Sequence, residues 1–324
     1  MVDRRQFLRA GVGAFAAAAL SGCASTAPWQ AASGTLRIAA GNPGAVFDEY
    51  GRALADEARV AMPSLNASAV TTAGSVANVR DVLDGSADVG FCLGDTATSA
   101  VAGHDPFDEP MPIVAVARLY DSFLQILVRQ DSPVRTPADL VGRRIVGGEV
   151  ESGTRLSVSR CLEAAGLGPD DVRYAPRSLT DAASDLAAGT ADAVAFVSGF
   201  PITALVELGT RVPLRALDIG GLVDPLVERW GPSYVTGPLP RGPYGLPTDV
   251  TTVSIKTYLV AAPGLADDTV YGLASVLFDR QDAVARRAPT VRQPTVAAGM
   301  FTAPVPLHPG SLRWFRDRDA RGGS

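Results

Sequence analysis

The chain has 324 residues, 47% of them apolar and 19% charged, and a formal net charge of −5 at pH 7. This composition excludes a disordered chain and supplies enough apolar residues for one large or two medium cores. The acidic balance argues against nucleic acid as a partner, and a single lysine, Lys256, against 28 arginines removes most lysine-based chemistry.

The N-terminus reads as an export signal. Arg4 and Arg5 precede Phe7 and Leu8, an apolar run follows from Gly11 to Leu20, and Leu20-Ser21-Gly22-Cys23 closes it. A charged start, a short apolar stretch and small residues before a cleavage point mark a signal peptide. The run of about ten residues is shorter than the roughly 20 a spanning helix needs. The twin arginines resemble a Tat signal, and the last four residues resemble a lipobox in which Cys23 becomes the lipidated first residue. The plainer alternative is a fortuitous cysteine near an ordinary cleavage site. Residues 1–23 are thus expected to be a Tat-like lipoprotein signal. The mature chain is expected outside the cytoplasm, lipid-anchored to the membrane through Cys23. Residues 24–34 are small and polar and read as a flexible tether.

From there strands and helices alternate. Strands are expected at 36–40, 67–71, 88–93, 112–119 and 122–130, with helices at 46–61, 75–83 and 95–102 between the first of them. A second alternation follows: strands at 144–147, 172–174, 192–197 and 212–217, helices at 153–165, 180–188 and 201–208. Short apolar runs separated by 10–15-residue helices predict βαβ units on a parallel sheet. Residues 79–95 and 182–200 share one phrase: a helix, a Gly turn (Gly85, Gly189), Ala-Asp, then an apolar strand and a glycine. That repetition implies two similar α/β lobes. Residues 231–249, rich in Pro and Gly, read as an irregular connection. Residues 250–262 read as a strand returning to the first lobe, 267–287 as one helix, and the tail as closing with a short helix.

Cys92 lies in an apolar run and Cys161 in a helical pattern, and both read as small buried hydrophobes. His104 and His308 are far apart beside prolines, which argues against zinc; no metal and no cofactor is expected.

In open α/β sheets ligands lie beyond the carboxyl ends of the strands. That rule selects loops 41–47, 72–78, 94–96, 148–154 and 198–201, all rich in Gly, Ser, Thr or Asn. Helix N-termini with hydroxyls make an anion cradle suited to a carboxylate, although Ser75 and Ser152 also read as plain N-caps. Catalytic motifs are missing. There is no GxSxG elbow, no lysine follows Gly74 or Gly147 as a phosphate loop requires, and Cys161 has no histidine near it in sequence. The chain is therefore not expected to be an enzyme.

Several segments, taken in order, resemble the TAXI family of solute-binding proteins, the extracytoplasmic receptors of TRAP transporters. They are IAAGNPGAVFDEYGRALA (38–55), TTAGSVANVRDVLDGSADVGF (71–91), ARLYDSFLQILVRQDSPVRTPADLVGRRIVGGEVESGT (117–154), AASDLAAGTADAVAFVSGFP (182–201) and PVPLHPGSLRWFRD (304–317). The resemblance implies a type II periplasmic-binding-protein-like α/β fold: two lobes, a strand hinge and a ligand cleft between them. Lobe 1 would take residues 35–120 plus 245–324, and lobe 2 with the hinge crossings residues 121–244. The implied task is to capture a small carboxylate or amino acid, glutamate-like in many such receptors, and deliver it as a monomer to TRAP-type permease subunits. A stand-alone sensing or scavenging lipoprotein of the same fold is the alternative.

Carried over position by position, the resemblance implies Gly41, Asn42, Gly44 and Phe47 on the first binding loop and Ser75 and Asn78 on the second. It places Asp95 and Tyr120 on the first lobe's side of the cleft. Ser152, Gly153 and Thr154 start a second-lobe helix, and Ser198, Gly199 and Pro201 form its last loop. Asn42-Pro43 stands where such receptors keep glycines. Asp48-Glu49 and Glu151 add negative charge, which would repel a dicarboxylate or welcome an amine.

Overall fold

A computed structural model describes residues 27–322 of the chain, so the expected signal peptide and Cys23 lie outside the described residues. The first lobe opens with β1 (Gly34–Ala39), α1 (Val46–Ala61), β2 (Leu65–Val70), α2 (Ser75–Asp84), β3 (Val89–Leu93) and α3 (Gly94–Ala102). A long strand, β4 (Val114–Arg129), leads into β5 (Arg144–Val146), α4 (Gly153–Ala164), β6 (Arg173–Ala175), α5 (Leu179–Ala188), β7 (Ala193–Ser198) and α6 (Thr203–Arg211). Then come β8 (Leu214–Ala216), α7 (Val223–Trp230), β9 (Tyr234–Leu239) and a second long strand, β10 (Val250–Ala261). Four helices close the chain: α8 (Asp267–Asp279), α9 (Gln281–Arg287), α10 (Val296–Gly299) and α11 (Pro309–Gly322).

All ten strands share one sheet, ordered β2-β1-β3-β10-β4-β7-β5-β6, with β8 on β4 and β9 on β10. β1 pairs in parallel with β2 and β3, and β5 with β6 and β7. β10 runs antiparallel to β3 and β4, and β4 antiparallel to β7. The sheet is therefore mixed where a parallel one was expected. The parallel βαβ halves are as the alternation predicts, and the two crossing strands that join them run the other way. β3 and β7 are buried along their whole length, which is why each reads as an unbroken apolar run, as strands covered on both faces do. α2 and α5 end at Gly85 (φ 81°) and Gly189 (φ 72°), left-handed C-caps that an L side chain would strain.

Each lobe has its own core, and the crossing strands contribute to both. In the first lobe Leu36, Ile38, Tyr50, Leu54, Phe91, Leu277 and Trp314 pack together with Val116 of β4 and Leu259 of β10. In the second, Ile145, Val158 and Ala193 pack with Leu124 and Ile126 of β4 and Val253 and Ile255 of β10. The pairing of the two strands shifts register between Lys256 and Tyr258, where they pass from one core to the other. Such an irregularity bends the strands.

Several expected elements differ. Residues 112–130 form one strand instead of two, because Tyr120-Asp121 contains no breaker and stays paired to β10 (Lys256 opposite Asp121). The helix expected over 267–287 breaks at Arg280 (φ −116°, ψ 24°), whose guanidinium is held by Glu57 of α1. The segment 231–249 contains β9, an edge strand paired only to β10, where Pro238 needs no ladder donor on its open side. The α7 helix was not anticipated. Within the expected tether, Pro28–Ala31 forms a 3-10 turn, Trp29 lies 6.0 Å from Tyr271, and Gly34 already starts β1.

Candidate functional site

Loops at the strand ends of both lobes meet face to face. Gly74 and Ser75, at the start of α2, stand directly against Ser152 and Gly153, at the start of α4. A side chain on Gly153 would come within 2.6 Å of Ser75 Oγ, and one on Gly74 within 3.3 Å of Ser152 Cα. The Ala77 N–H donates across the junction to the Glu151 carbonyl (3.0 Å), and Arg80 pairs with the Glu151 carboxylate. The lobes are closed on each other.

A second set of polar contacts lies beside this junction. Asp95 of α3, almost fully buried, accepts from Ser157 Oγ of α4 (2.6 Å) and from the Tyr234 hydroxyl (3.2 Å). Buried Arg160 of α4 donates to that same tyrosine oxygen (3.2 Å), to Ser99 Oγ (2.7 Å) and to the Asp105 carbonyl (3.3 Å). Burial first, and the Asp95 carboxylate next, push the Tyr234 hydroxyl's pKa up, so it stays protonated and keeps donating to Asp95. Asp95 is thus a lobe-to-lobe latch, satisfied by groups that sequence reading did not pair with it.

The loop residues enclose two chambers. The first, about 30 Å³, is lined by Gly41, Asn42, Phe47, Ser75, Ser152, Gly153, Thr154 and Ser198, with Gly74 and Phe196. That is space for only a water or two. The second, about 170 Å³, is lined by Tyr120 and Gly199 together with Val46, Asp121, Phe123, Phe200, Pro238, Pro240, Thr290 and Arg292. Where Val46 meets the end of β7 the chambers part. Its N–H donates to Ser198 Oγ (3.4 Å), and a side chain on Gly199 would lie 3.1 Å from Val46 Cγ1 and 3.3 Å from Tyr120 Cε2.

Most of the expected polar ligands already serve the scaffold. Asn78 is fully buried, and its amide donates to the Ala39 and Phe91 carbonyls (3.2 and 2.7 Å), stapling β1 to β3. Thr72 Oγ1 donates to the Asn78 side-chain oxygen and accepts from the Gly41 and Gly74 N–H groups (3.0 and 3.3 Å). It thereby hooks the first two loops together. Ser75 Oγ accepts from the Leu93 N–H (3.1 Å). Ser152 caps α4, accepting from the Arg155 N–H (3.0 Å) and donating to the Glu149 carbonyl (2.7 Å), so for this residue the cap reading holds. Thr154 Oγ1 accepts from the Val197 N–H (3.1 Å). Gly44 is exposed, its N–H turned to Asp48, and Pro201 lines neither chamber.

The acids expected to disturb an anion are also occupied. Asp48 accepts from Gly44 N–H (3.3 Å) and pairs with Arg52 (2.8 Å); Glu49 accepts from Thr290 Oγ1 (2.6 Å); Glu151 pairs with Arg80. Tyr120 is the exception among the expected site residues. It is buried, and its hydroxyl finds no hydrogen-bond partner among the described residues. Burial, then Tyr50 and Glu49, hold its pKa well above the ordinary phenol value, so it can only be a neutral donor or acceptor. Cys92 and Cys161 are free and buried; burial pushes the Cys161 thiol up to about 12 and the Cys92 thiol well above its usual value, away from thiolate chemistry. No group of three or more His, Cys, Asp or Glu among the described residues is placed to hold a metal.

The NMT1-like family model matches residues 38–318, most of the chain. The chain belongs to the NMT1-like family. That overturns the TAXI resemblance and, with it, the expectation of a TRAP permease. Solved structures of similar shape include the periplasmic aliphatic sulphonate binding protein SsuA from Escherichia coli: 19% identity, 88% of this chain and 79% of that chain covered, TM-score 0.50. The binding protein component of an ABC phosphonate transporter from Pseudomonas aeruginosa gives 11% identity, 81% and 80% coverage, and a TM-score of 0.53. A Xanthomonas citri protein solved with bound ATP gives 12% identity, 89% and 96% coverage, and a TM-score of 0.51. At these identities the likeness shows the fold, a two-lobe type II solute-binding-protein architecture. Residues within the segments that suggested TAXI serve this chain's own scaffold. Gly85 and Gly189 end helices, Thr72 and Asn78 tie strand ends, and Gly74 and Gly153 let the lobes meet.

Proposed function

We propose that this protein is an extracytoplasmic receptor that binds a small organic solute between its lobes and delivers it to an ABC-type membrane permease. The observation that carries the proposal is the convergence of both lobes' strand-end loops on chambers beside the two crossing strands. Those strands are the natural hinge, and closure about them is the motion such folds use to trap ligands. The binding protein component of an ABC phosphonate transporter, of similar shape, supports an ABC-type permease as partner. The signal-like N-terminus, in which Leu20–Cys23 resembles a lipobox, supports export and anchoring to the membrane surface.

A thermal-shift panel of small carboxylates, sulfonates, phosphonates and amino acids tests the receptor reading. A true solute at 100 times its Kd adds about 2.7 kcal/mol to stability, and calorimetry should then give one site per chain. A broad panel without a single rise in Tm sinks it. For the anchor, fractionation of cells expressing Cys23→Ser should move the protein from the membrane to the soluble fraction; retention in the membrane contradicts a lipid at Cys23.

A further inference from the structure

We infer that Trp29 clamps the anchoring segment to the first lobe, so that the exposed face of α11 lies against the lipid headgroups. The inference rests on the anchor at Cys23 proposed above and adds which face of the protein meets the membrane.

The segment reads in sequence as a flexible tether, but from Ala27 on it is tied down. The Ala27 N–H donates to Gln30 Oε1 (2.9 Å) and the Gln30 N–H to the Ala27 carbonyl (2.8 Å), closing the turn that carries Trp29. The indole packs on the first lobe's core, 6.0 Å from the Tyr271 ring of α8. Gly272 leaves room for it: a side chain there would come within 3.2 Å of Trp29 Cε3 and 2.3 Å of Met62 Sδ. Tyr271 is fixed in turn by α11. Its hydroxyl donates to Asp317 (3.0 Å), and the Arg313 guanidinium lies over its ring (4.8 Å).

Cys23 stands four residues before Ala27. That lead reaches roughly 14 Å at full extension. A folded body of this length is about 50 Å across, so it cannot roll over on so short a lead. With Trp29 released, the lead would run to Gly34, eleven residues from Cys23, and reach roughly 40 Å. The clamp therefore decides whether the protein has a fixed side toward the membrane. Ala27 and Trp29 share a hollow with Arg313 and Asp317, so the anchored chain leaves the fold beside α11. Spacing of three and four residues puts Arg313, Arg316, Asp317 and Arg321 on one exposed face of that helix. Arg313 pairs with Asp268, and Arg316 has no ion pair among the described residues. On a chain of net charge −5, a face with three arginines and one aspartate suits an anionic headgroup layer. With lobe 1 held there, opening about β4 and β10 moves lobe 2.

Fluorescence quenching on vesicles tests the orientation. The full lipid-bearing chain is placed in vesicles of phosphatidylcholine, phosphatidylglycerol and a nickel-chelating lipid whose headgroup quenches nearby dyes. It carries a dye at Ala320→Cys on α11 or at Arg173→Cys on β6, in the other lobe; Cys92 and Cys161 are buried and do not compete for label. The α11 dye is expected to be quenched several-fold more than the β6 dye. Trp29→Gly should bring the two close to equal. A Gly-Ser linker inserted between Thr26 and Ala27 lengthens the lead without touching a contact of the folded residues, and should do the same. If Trp29→Gly fails to fold, the linker variant alone decides. Equal quenching of the two dyes in the parent, stronger quenching at β6, or a difference that survives either change overturns the inference. Protein that stays on the vesicles with both dyes quenched alike leaves the anchor standing and removes only this orientation. Protein that does not stay on them removes the anchor and the orientation together.

Discussion

Single residues here do structural work that their sequence context disguises. Asn78 sits at a helix start beside a Gly-Ser pair, where a sequence reading expects a ligand. Its amide instead bonds three groups on three different segments: the Ala39 and Phe91 carbonyls and the Thr72 hydroxyl. Asn78→Ala should therefore cost about 2–4 kcal/mol, since it orphans buried backbone carbonyls. Denaturant titration measures this loss, and a variant as stable as the parent would show that the staple carries no weight. Ser152 and Thr154 are similar: an N-cap and a tie to β7. Tyr120 is the opposite case. It was expected at the cleft, and it alone of the expected polar site residues reaches the closed structure with an unmet hydrogen bond.

At the scale of elements, the junction of α8 and α9 shows how a charge fixes a break that hydrophobic periodicity reads through. Glu57 of α1 is buried and receives hydrogen bonds from Arg280 and Arg287. Burial alone would raise its pKa, but the two arginines outweigh burial and hold it below the usual carboxylate value. The stability this contributes is present above the unfolded carboxylate pKa of about 4.3 and is lost as pH falls through the lower folded value. Glu57→Gln should cost about 2 kcal/mol near neutral pH, the scale of hydrogen bonds to a charged group. The gap from the parent should narrow as pH is lowered below about 4. A gap that stays constant across that range contradicts the assignment. The contacts of Asp48, Glu49 and Glu151 belong to the same level. Asp48 is paired within its own helix by Arg52, Glu49 accepts only a hydroxyl hydrogen bond from Thr290, and Glu151 is paired across the lobes by Arg80.

Across the whole molecule, the closed arrangement depends on two glycines meeting two serines. Gly153→Ala would put a methyl group 2.6 Å from Ser75 Oγ and 2.8 Å from Ser75 Cβ on the opposite lobe. The cheapest relief is for the lobes to separate about the crossing strands, shifting the population toward an open form. Small-angle scattering should show a larger radius of gyration for Gly153→Ala than for the parent. Ser75→Gly added to it should restore the compact value in part, because it removes the nearest opposing side chain while Leu93 Cδ1, 2.9 Å from the added methyl, remains. Identical scattering from parent and single variant would mean that closure does not pass through this contact. The latch of Asp95, Ser157, Tyr234, Arg160 and Ser99 spans the same gap.

The sequence by itself determined the two α/β halves, the returning strand β10, the Gly-ended helices and the loops that meet between the lobes. These follow from local periodicity and turn chemistry, which each segment carries within itself. It also placed eight of its expected residues around one chamber, from Gly41 to Ser198. Only the tertiary structure decided which polar groups remain available. Asp95 is used up by Tyr234, 139 residues further along the chain, and Glu151 by Arg80, 71 residues before it. Arg292, in a stretch without a motif between α9 and α10, lines the same chamber as Tyr120 of β4, far from it in sequence. Spacing along a chain fixes which face a side chain takes, but its partner comes from whatever the fold sets opposite, and for this protein those partners decide which residues are left for a solute.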